Sequence, residues 1–186
     1  TQTVQACVVV AAETMPAVLK AAKAVSIEWA PGPTALVTEA DIVAEGERLA
    51  ADPEQGALFV NEGDVLSAKA QASVALSATY TTSTALHFTM EPQNALVEFD
   101  SEGRCHIHAG NQWQSLILPV LAQALEIPEA DIVIHQYYLG GGYGRRLFGD
   151  QMIPAALAAR SLGRPVKLIF DRASDSRFDC VRSPSV

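Results

Sequence analysis

Gly140, Gly141 and Gly142 stand in an unbroken run, followed by Tyr143, Gly144, Arg145 and Arg146. Consecutive glycines after a β-type stretch open positive φ to the backbone and clear every Cβ from one surface, so a ligand can come close to the main chain. Amides exposed in such a bend, beside the start of a helix, form an anion nest, and the arginine pair adds fixed positive charge. That suits a phosphate-bearing cofactor. Two familiar phosphate patterns fail on spacing. A triphosphate loop needs Gly-Lys followed by Ser or Thr, and the dinucleotide fingerprint needs a glycine where Arg145 stands. Taken alone, the run reads more readily as a plain turn between a strand and a helix.

Other reactive side chains are weaker signals. His106 and His108, two apart on a strand, share a face and have metal-binding chemistry, but no third ligand is evident and a solvent-facing strand is the better reading. Cys7, Cys105 and Cys180 lack the paired spacings that hold zinc or iron-sulfur clusters and read as buried thiols. Trp113 reads as a packing residue, with a substrate platform as the other option. Glu39, Asp41, Glu45 and Glu47 belong to a solvated helix, and the first two favour its N-terminal dipole.

The elements that must position these residues follow from periodicity. Thr3 to Val10 reads as a strand, Glu13 to Val25 as an alanine-rich helix, and Val25 to Trp29 as a second strand, which makes one β-α-β unit. Thr38 caps an acidic helix reaching about Ala51, and the DPEQG stretch breaks it. A polar connection, Asn61 to Gln71, leads to a long strand from Val74 to Ser83. A module boundary falls near Ala70, with nearly all the clustered polar chemistry after it. Gln93 to Phe99 and Cys105 to Ala109 form a hairpin around Ser101 to Gly103. Leu116, Ile117, Val120, Leu121, Ala124 and Leu125 mark a helix that begins near Asn111 or Gln112. A strand from Ile132 to Tyr138 runs into the glycines. Met152, Ile153, Ala156 and Leu157 mark another helix, stopped by Gly163 to Pro165, and Val166 to Phe170 is the last strand. The fold class is α+β, or mixed α/β, with helices on sheets whose strands are not all parallel.

The 186 residues suffice for one good-sized domain or two small ones, and 49% are hydrophobic, enough for a real core. A net charge of -8 with dispersed Lys and Arg argues against nucleic acid or an anionic membrane surface as partner. Charged or turn residues interrupt every apolar stretch short of a membrane span. No secretory leader pattern is present, and both ends read as cut from a longer chain.

Three segments together resemble the molybdopterin-binding large subunit of the xanthine dehydrogenase and aldehyde oxidase family. GGGFGG-type loops of that family set an aromatic residue and a glycine beside the molybdenum centre, where this chain has Tyr143 and Gly144. The family's glutamine about thirty residues earlier corresponds to Gln112 in AGNQ. His87 to Asn94, HFTMEPQN, is similar to the family's HxxMEP stretch. In that setting His87 and Glu91 read as a structural corner near the active site rather than as an acid-base pair. Arg145 and Arg146, in place of further Gly, Lys and Glu, resemble the isoquinoline 1-oxidoreductase beta subunit.

The resemblance implies that residues 1–70 are the C-terminal part of a hammerhead-like α/β domain and residues 71–186 the first part of the molybdopterin-binding domain. It implies a parent oxidoreductase that oxidises N-heteroaromatic compounds or aldehydes with oxygen from water. Gln112, Gly141, Gly142, Tyr143 and Gly144 would face the cofactor, while Arg145 and Arg146 would contact its phosphate or cap a carbonyl of the loop. The cofactor would be molybdopterin in a dinucleotide form, held by the parent and not by this piece alone. The family's general-base glutamate lies in a GxGE stretch that does not occur here, so the isolated chain is expected to be inactive. The implied partners are a small subunit carrying [2Fe-2S] clusters, the remainder of the large subunit and a small-molecule substrate. The compartment stays open between bacterial cytoplasm and periplasm. The rival readings are a cofactor-free structural domain and an unrelated anion-binding module.

Overall fold

The computed structural model describes residues 7–57, 59–60 and 62–185. They form two compact units. One comprises the described residues up to Glu28 with Leu86–Cys180, and the other comprises Trp29–Ala85 with residues 181–185.

The first unit is built on a four-stranded sheet of order β3-β2-β1-β4. Strand β1 (Asn94–Phe99) buries Ala95 and Val97, and β2 (Cys105–Ala109) buries Cys105, Ile107 and Ala109, the alternation expected of a sheet with one covered face. Their antiparallel register sets Val97 opposite Ile107. Asp100 closes the turn by accepting the backbone N–H groups of Glu102 and Arg104, both at 2.9 Å, while Gly103 takes φ +82°. From β2 the chain crosses through α4 (Gln114–Leu125) to β3 (Ile132–Gln136), which runs parallel to β2. A parallel return needs such a crossover. Helix α5 (Met152–Leu162) leads to β4 (Val166–Ile169), antiparallel to β1 at the other edge.

Ile117, Leu121 and Leu125, spaced by four, give α4 one apolar face, and Met152, Ile153, Ala155, Ala156 and Ala159 do the same for α5. These residues join the inner sheet face in one core. Burying each large aliphatic side chain contributes roughly 1.5–3 kcal/mol. Helix α1 (Met15–Ala24), capped by Thr14, and α6 (Arg172–Arg177), capped by Asp171, complete this unit.

In the second unit Thr38 and Asp41 form a reciprocal capping box at the start of α2 (Glu39–Ala50), and Asp64 caps α3 (Val65–Gln71). Neither helix buries a residue. Isolated bridges join Thr82 to Ser185 and Ala85 to Arg182. Among the described residues no helix is long and apolar enough to cross a membrane.

The structure corrects several sequence expectations. Val25 to Trp29 and Val74 to Ser83 carry β-type residues, but among the described residues only Thr82 of these stretches makes a bridge, and neither stretch is a strand. An isolated strand leaves its backbone groups unsatisfied, so β propensity without a partner gives no ladder. Residues 7–10 of the expected first strand are irregular, and the rest of that strand lies outside the described residues. The polar connection before residue 72 contains α3, which its Asp64 cap signals. Cys7 is exposed, not buried, whereas Cys105 is buried in the core and Cys180 is half-buried.

Candidate functional site

The loop leaving β3 reaches Gly140 through Gly144 and enters a 3-10 turn at Arg145–Leu147. Gly141 at φ +98° and Gly144 at φ +106° are in territory where a side chain is strained. Tyr143 sits there too, at φ +53°, with its ring exposed. A non-glycine residue in this region is uncommon, and the surrounding contacts must hold it.

Gln112, just ahead of α4, is brought directly against this loop. Its backbone N–H donates to Arg146 O at 3.0 Å, and its side-chain Oε1 accepts from Gly144 N at 3.1 Å and Arg146 N at 3.2 Å. Two N–H donors on one atom identify that atom as the carbonyl end of the amide, so the opposite end is the Nε2 donor. The closeness explains a glycine: a Cβ at Gly142 would lie 2.4 Å from Gln112 Oε1. Asn111 anchors the same segment, donating from Nδ2 to Arg146 O at 2.7 Å and accepting from Trp113 N at 2.7 Å. In the sequence Asn111 marks only a helix start; its role depends on where Arg146 lies in space.

Arg145 and Arg146 are 1% and 0% exposed, and both guanidinium groups point into internal partners. Arg145 binds Asp150, donates to Phe178 O at 2.8 Å and lies 3.0 Å from Asp179 Oδ1. Arg146 donates from Nε to Gly141 O at 3.1 Å and from Nη2 to Glu91 O and Glu91 Oε2, each at 2.9 Å. Its Nη1 is buried without a hydrogen-bond partner among the described residues. Burial pushes the Arg146 pKa down against the pull of Glu91, while for Arg145 the neighbouring Asp150 and Asp179 outweigh burial and raise it. Of the two roles open for this pair, the contacts present are those of carbonyl and carboxylate capping.

The upstream stretch forms a corner against the loop. His87 donates its backbone N–H to Asp179 Oδ2 and pairs its ring Nδ1 with Asp179 Oδ1, both at 2.8 Å. Arg172 donates to Met90 O at 2.8 Å. His87, Asp179 and Cys180 are close enough to share a metal ion, but the Arg145 cation already occupies the Asp179 carboxylate.

His106 and His108 do share the uncovered face of the sheet, and His135 joins them from β3, which strand spacing alone did not indicate. His106 Nδ1 lies 3.1 Å from His135 Nε2, and His106 Nε2 lies 3.1 Å from Asp100 Oδ2. The parallel register pairs His108 with His135, so this cluster becomes legible once β2 and β3 are paired. Trp113 is exposed, its ring N–H donating to Ser115 Oγ at 2.8 Å.

Comparisons with known proteins show the family and the fold of the chain. The family model for the molybdopterin cofactor-binding domain matches residues 50–186. The chain is 48% identical, over all 186 of its residues, to a membrane-bound aldehyde dehydrogenase [pyrroloquinoline-quinone] of Gluconacetobacter polyoxogenes, covering 24% of that protein. It is 34% identical over 86 residues to the isoquinoline 1-oxidoreductase subunit beta of Brevundimonas diminuta, covering 46% of this chain and 11% of that one. The aldehyde oxidoreductase structure from Desulfovibrio gigas superposes on 66% of this chain and 14% of its own, with a TM-score of 0.58 at 24% identity, a likeness of fold. The chain therefore spans about a quarter or less of the length of these relatives.

Proposed function

Because the chain belongs to the molybdopterin cofactor-binding domain family, we propose that it is part of a molybdenum hydroxylase large subunit and supplies the cradle for that enzyme's cofactor. Residues 71–186 are then the first part of the cofactor-binding domain, whose family match reaches back to residue 50, and the residues before it the end of a hammerhead-like domain. The observation that carries this reading is the contact between Gln112 and the bare backbone of Gly142 to Gly144.

The residues present fit the group. Gln112 packs against Gly142 and takes the Gly144 N–H on its Oε1, and the Nε2 donor at the opposite end of that amide is the group suited to an anionic or oxo oxygen at this bend. Tyr143 presents its ring at the same bend. Arg145 and Arg146 act through the loop, because Arg145 donates to Phe178 O and Arg146 donates from Nε and Nη2 to Gly141 O and Glu91. When bound, the molybdenum-pterin group, here assigned a dinucleotide form, supplies two-electron oxidation with oxygen drawn from water. The substrates we assign to the parent are aldehydes or N-heteroaromatic compounds. The proton acceptor comes from elsewhere in the parent, since no GxGE stretch occurs here, and electrons leave through a small [2Fe-2S] subunit that these dispersed cysteines cannot replace. The 186-residue piece alone is inactive and retains no molybdenum.

A second reading is favoured by one finding. The 48% identical relative carries pyrroloquinoline-quinone in its name. Purifying the full-length subunit with its partner, then assaying molybdenum, pterin and quinone on one sample, separates the two. Molybdenum with pterin, and ¹⁸O from labelled water in the oxidised product, is the expected result. Quinone without molybdenum would overturn the reading.

A further inference from the structure

Glu91 is bound to the glycine loop from both sides. Its backbone N–H donates to Gly140 O at 3.1 Å, and its Oε2 accepts from Gly140 N at 2.8 Å. The two backbones are so close that a Cβ on Gly140 would lie 2.6 Å from the Glu91 Cβ. The same Oε2 takes Arg146 Nη2 at 2.9 Å, and Arg146 in turn holds Gly141 O through Nε. Oε1 accepts from Asn94 Nδ2 at 3.1 Å, which fixes the rotation of the carboxylate.

Every loop contact of this carboxylate is made to a donor, and both its oxygens are occupied, an arrangement for holding backbone in place rather than for taking a proton from a substrate. Burial raises its pKa, but the hydrogen bonds from Gly140 N and Asn94 together with the charge of Arg146 more than offset this, so it stays below the ordinary glutamate range. It is anionic at working pH. Gln112 fastens the far end of the run at Gly144 and Arg146, and Glu91 fastens the near end at Gly140. The strained conformation at Tyr143 lies between these two attachments, where it needs support from outside the loop.

We propose that Glu91, acting with Arg146, is a positioning residue that holds the glycine loop in its cofactor-ready shape without touching substrate. This inference rests on the molybdenum reading above. Two substitutions separate charge from shape. Glu91→Gln keeps the size but removes the charge and leaves Arg146 unpaired in the interior. Arg146→Lys keeps the charge but loses the fork that reaches Gly141 and Glu91 together.

The test uses the full-length holoenzyme with its partner subunit, and follows molybdenum retained after gel filtration over time. Amide exchange across residues 139–147 and the thermal midpoint are measured on the same samples. Supporting-shell changes at metal sites cost on the order of 10- to 100-fold in retention, and that acceleration of molybdenum loss is expected in both variants, with exchange rising more in the loop than in the rest of the first unit and a lowered thermal midpoint. Glu102→Gln, in the β1–β2 turn, should retain the metal as the unaltered enzyme does. Molybdenum loss and loop exchange in Glu91→Gln that match the unaltered enzyme would overturn the inference while leaving the parent reading standing. If Glu91→Gln fails to accumulate, Arg146→Lys carries the same test, and unaltered retention in it overturns the inference. An unaltered enzyme that holds no molybdenum overturns the parent reading, and the inference with it.

Discussion

Leu121 and Leu76 are the same residue in opposite surroundings. Leu121 is 0% exposed beneath the sheet of the first unit, whereas Leu76 is 94% exposed in the second. The second unit is not poorly written locally: α2 carries a complete capping box, while α4 has no side-chain cap at all. Yet α4 buries Ile117, Leu121 and Leu125, and α2 buries nothing. Caps satisfy a few backbone groups and contribute about 1 kcal/mol each, whereas a core gathers many apolar side chains from distant parts of the chain. Local signals decide where a helix begins, and long-range burial decides which part of the molecule is stiff.

The contrast is sharpest where a core atom is removed. Leu121→Ala is expected to cost about 2–5 kcal/mol in denaturant unfolding, because a cavity is left in the core that α4 shares with α5 and the sheet. A loss under about 1 kcal/mol would show that the core collapses around the gap and that the units are more alike than burial suggests. Thr38→Ala should cost about 1 kcal/mol, felt only in α2 as faster amide exchange near Asp41. Protection lost in the first unit as well would break the separation.

Acid sensitivity through histidine should also be confined to one side, since His87, His106, His108 and His135 all lie in the first unit. Burial first, then the neighbouring positive charges of His108 and His106, lower the His135 pKa. The folded state therefore binds this proton less readily than the unfolded chain. Its contribution is complete above the ordinary histidine range and is lost as pH falls through that range. His135→Gln should flatten the decline in stability between about pH 7 and about pH 5, read from unfolding midpoints at each pH. A steeper decline in the variant would reverse the assignment. The smallest effect is expected at Leu76→Ala, within about 0.5 kcal/mol. A larger loss would mean that the second unit has a core that exposure does not reveal.

Much of the first unit was legible in the residues. The alternation of β1 and β2, the spacing of Ile117, Leu121 and Leu125, and the stop at Gly163 each leave a local mark, because side-chain direction repeats with the backbone period. Val74 to Ser83 shows the limit: the residue types were right for a strand, and the missing partner was not visible in them. The candidate site divides in the same way. Gly140 to Gly144 and Gln112 stood out by type and by spacing from each other. Glu91 was visible only as part of a corner, and nothing in its neighbours showed that its carboxylate would hold Gly140 N–H.

What the sequence determined by itself was periodicity, capping and the bare backbone of the loop, since each depends on residues within a turn or two of one another. Which way Arg145 and Arg146 turn, the meeting of Glu91 with Gly140, and the gathering of His135 beside His106 and His108 were decided by the tertiary structure. The pairs Glu91 with Gly140, Glu91 with Arg146 and His106 with His135 join residues 29 to 55 positions apart. Only the packing of the sheet, the helices and the corner brings such residues within hydrogen-bond range, and chain order carries no distance of that kind.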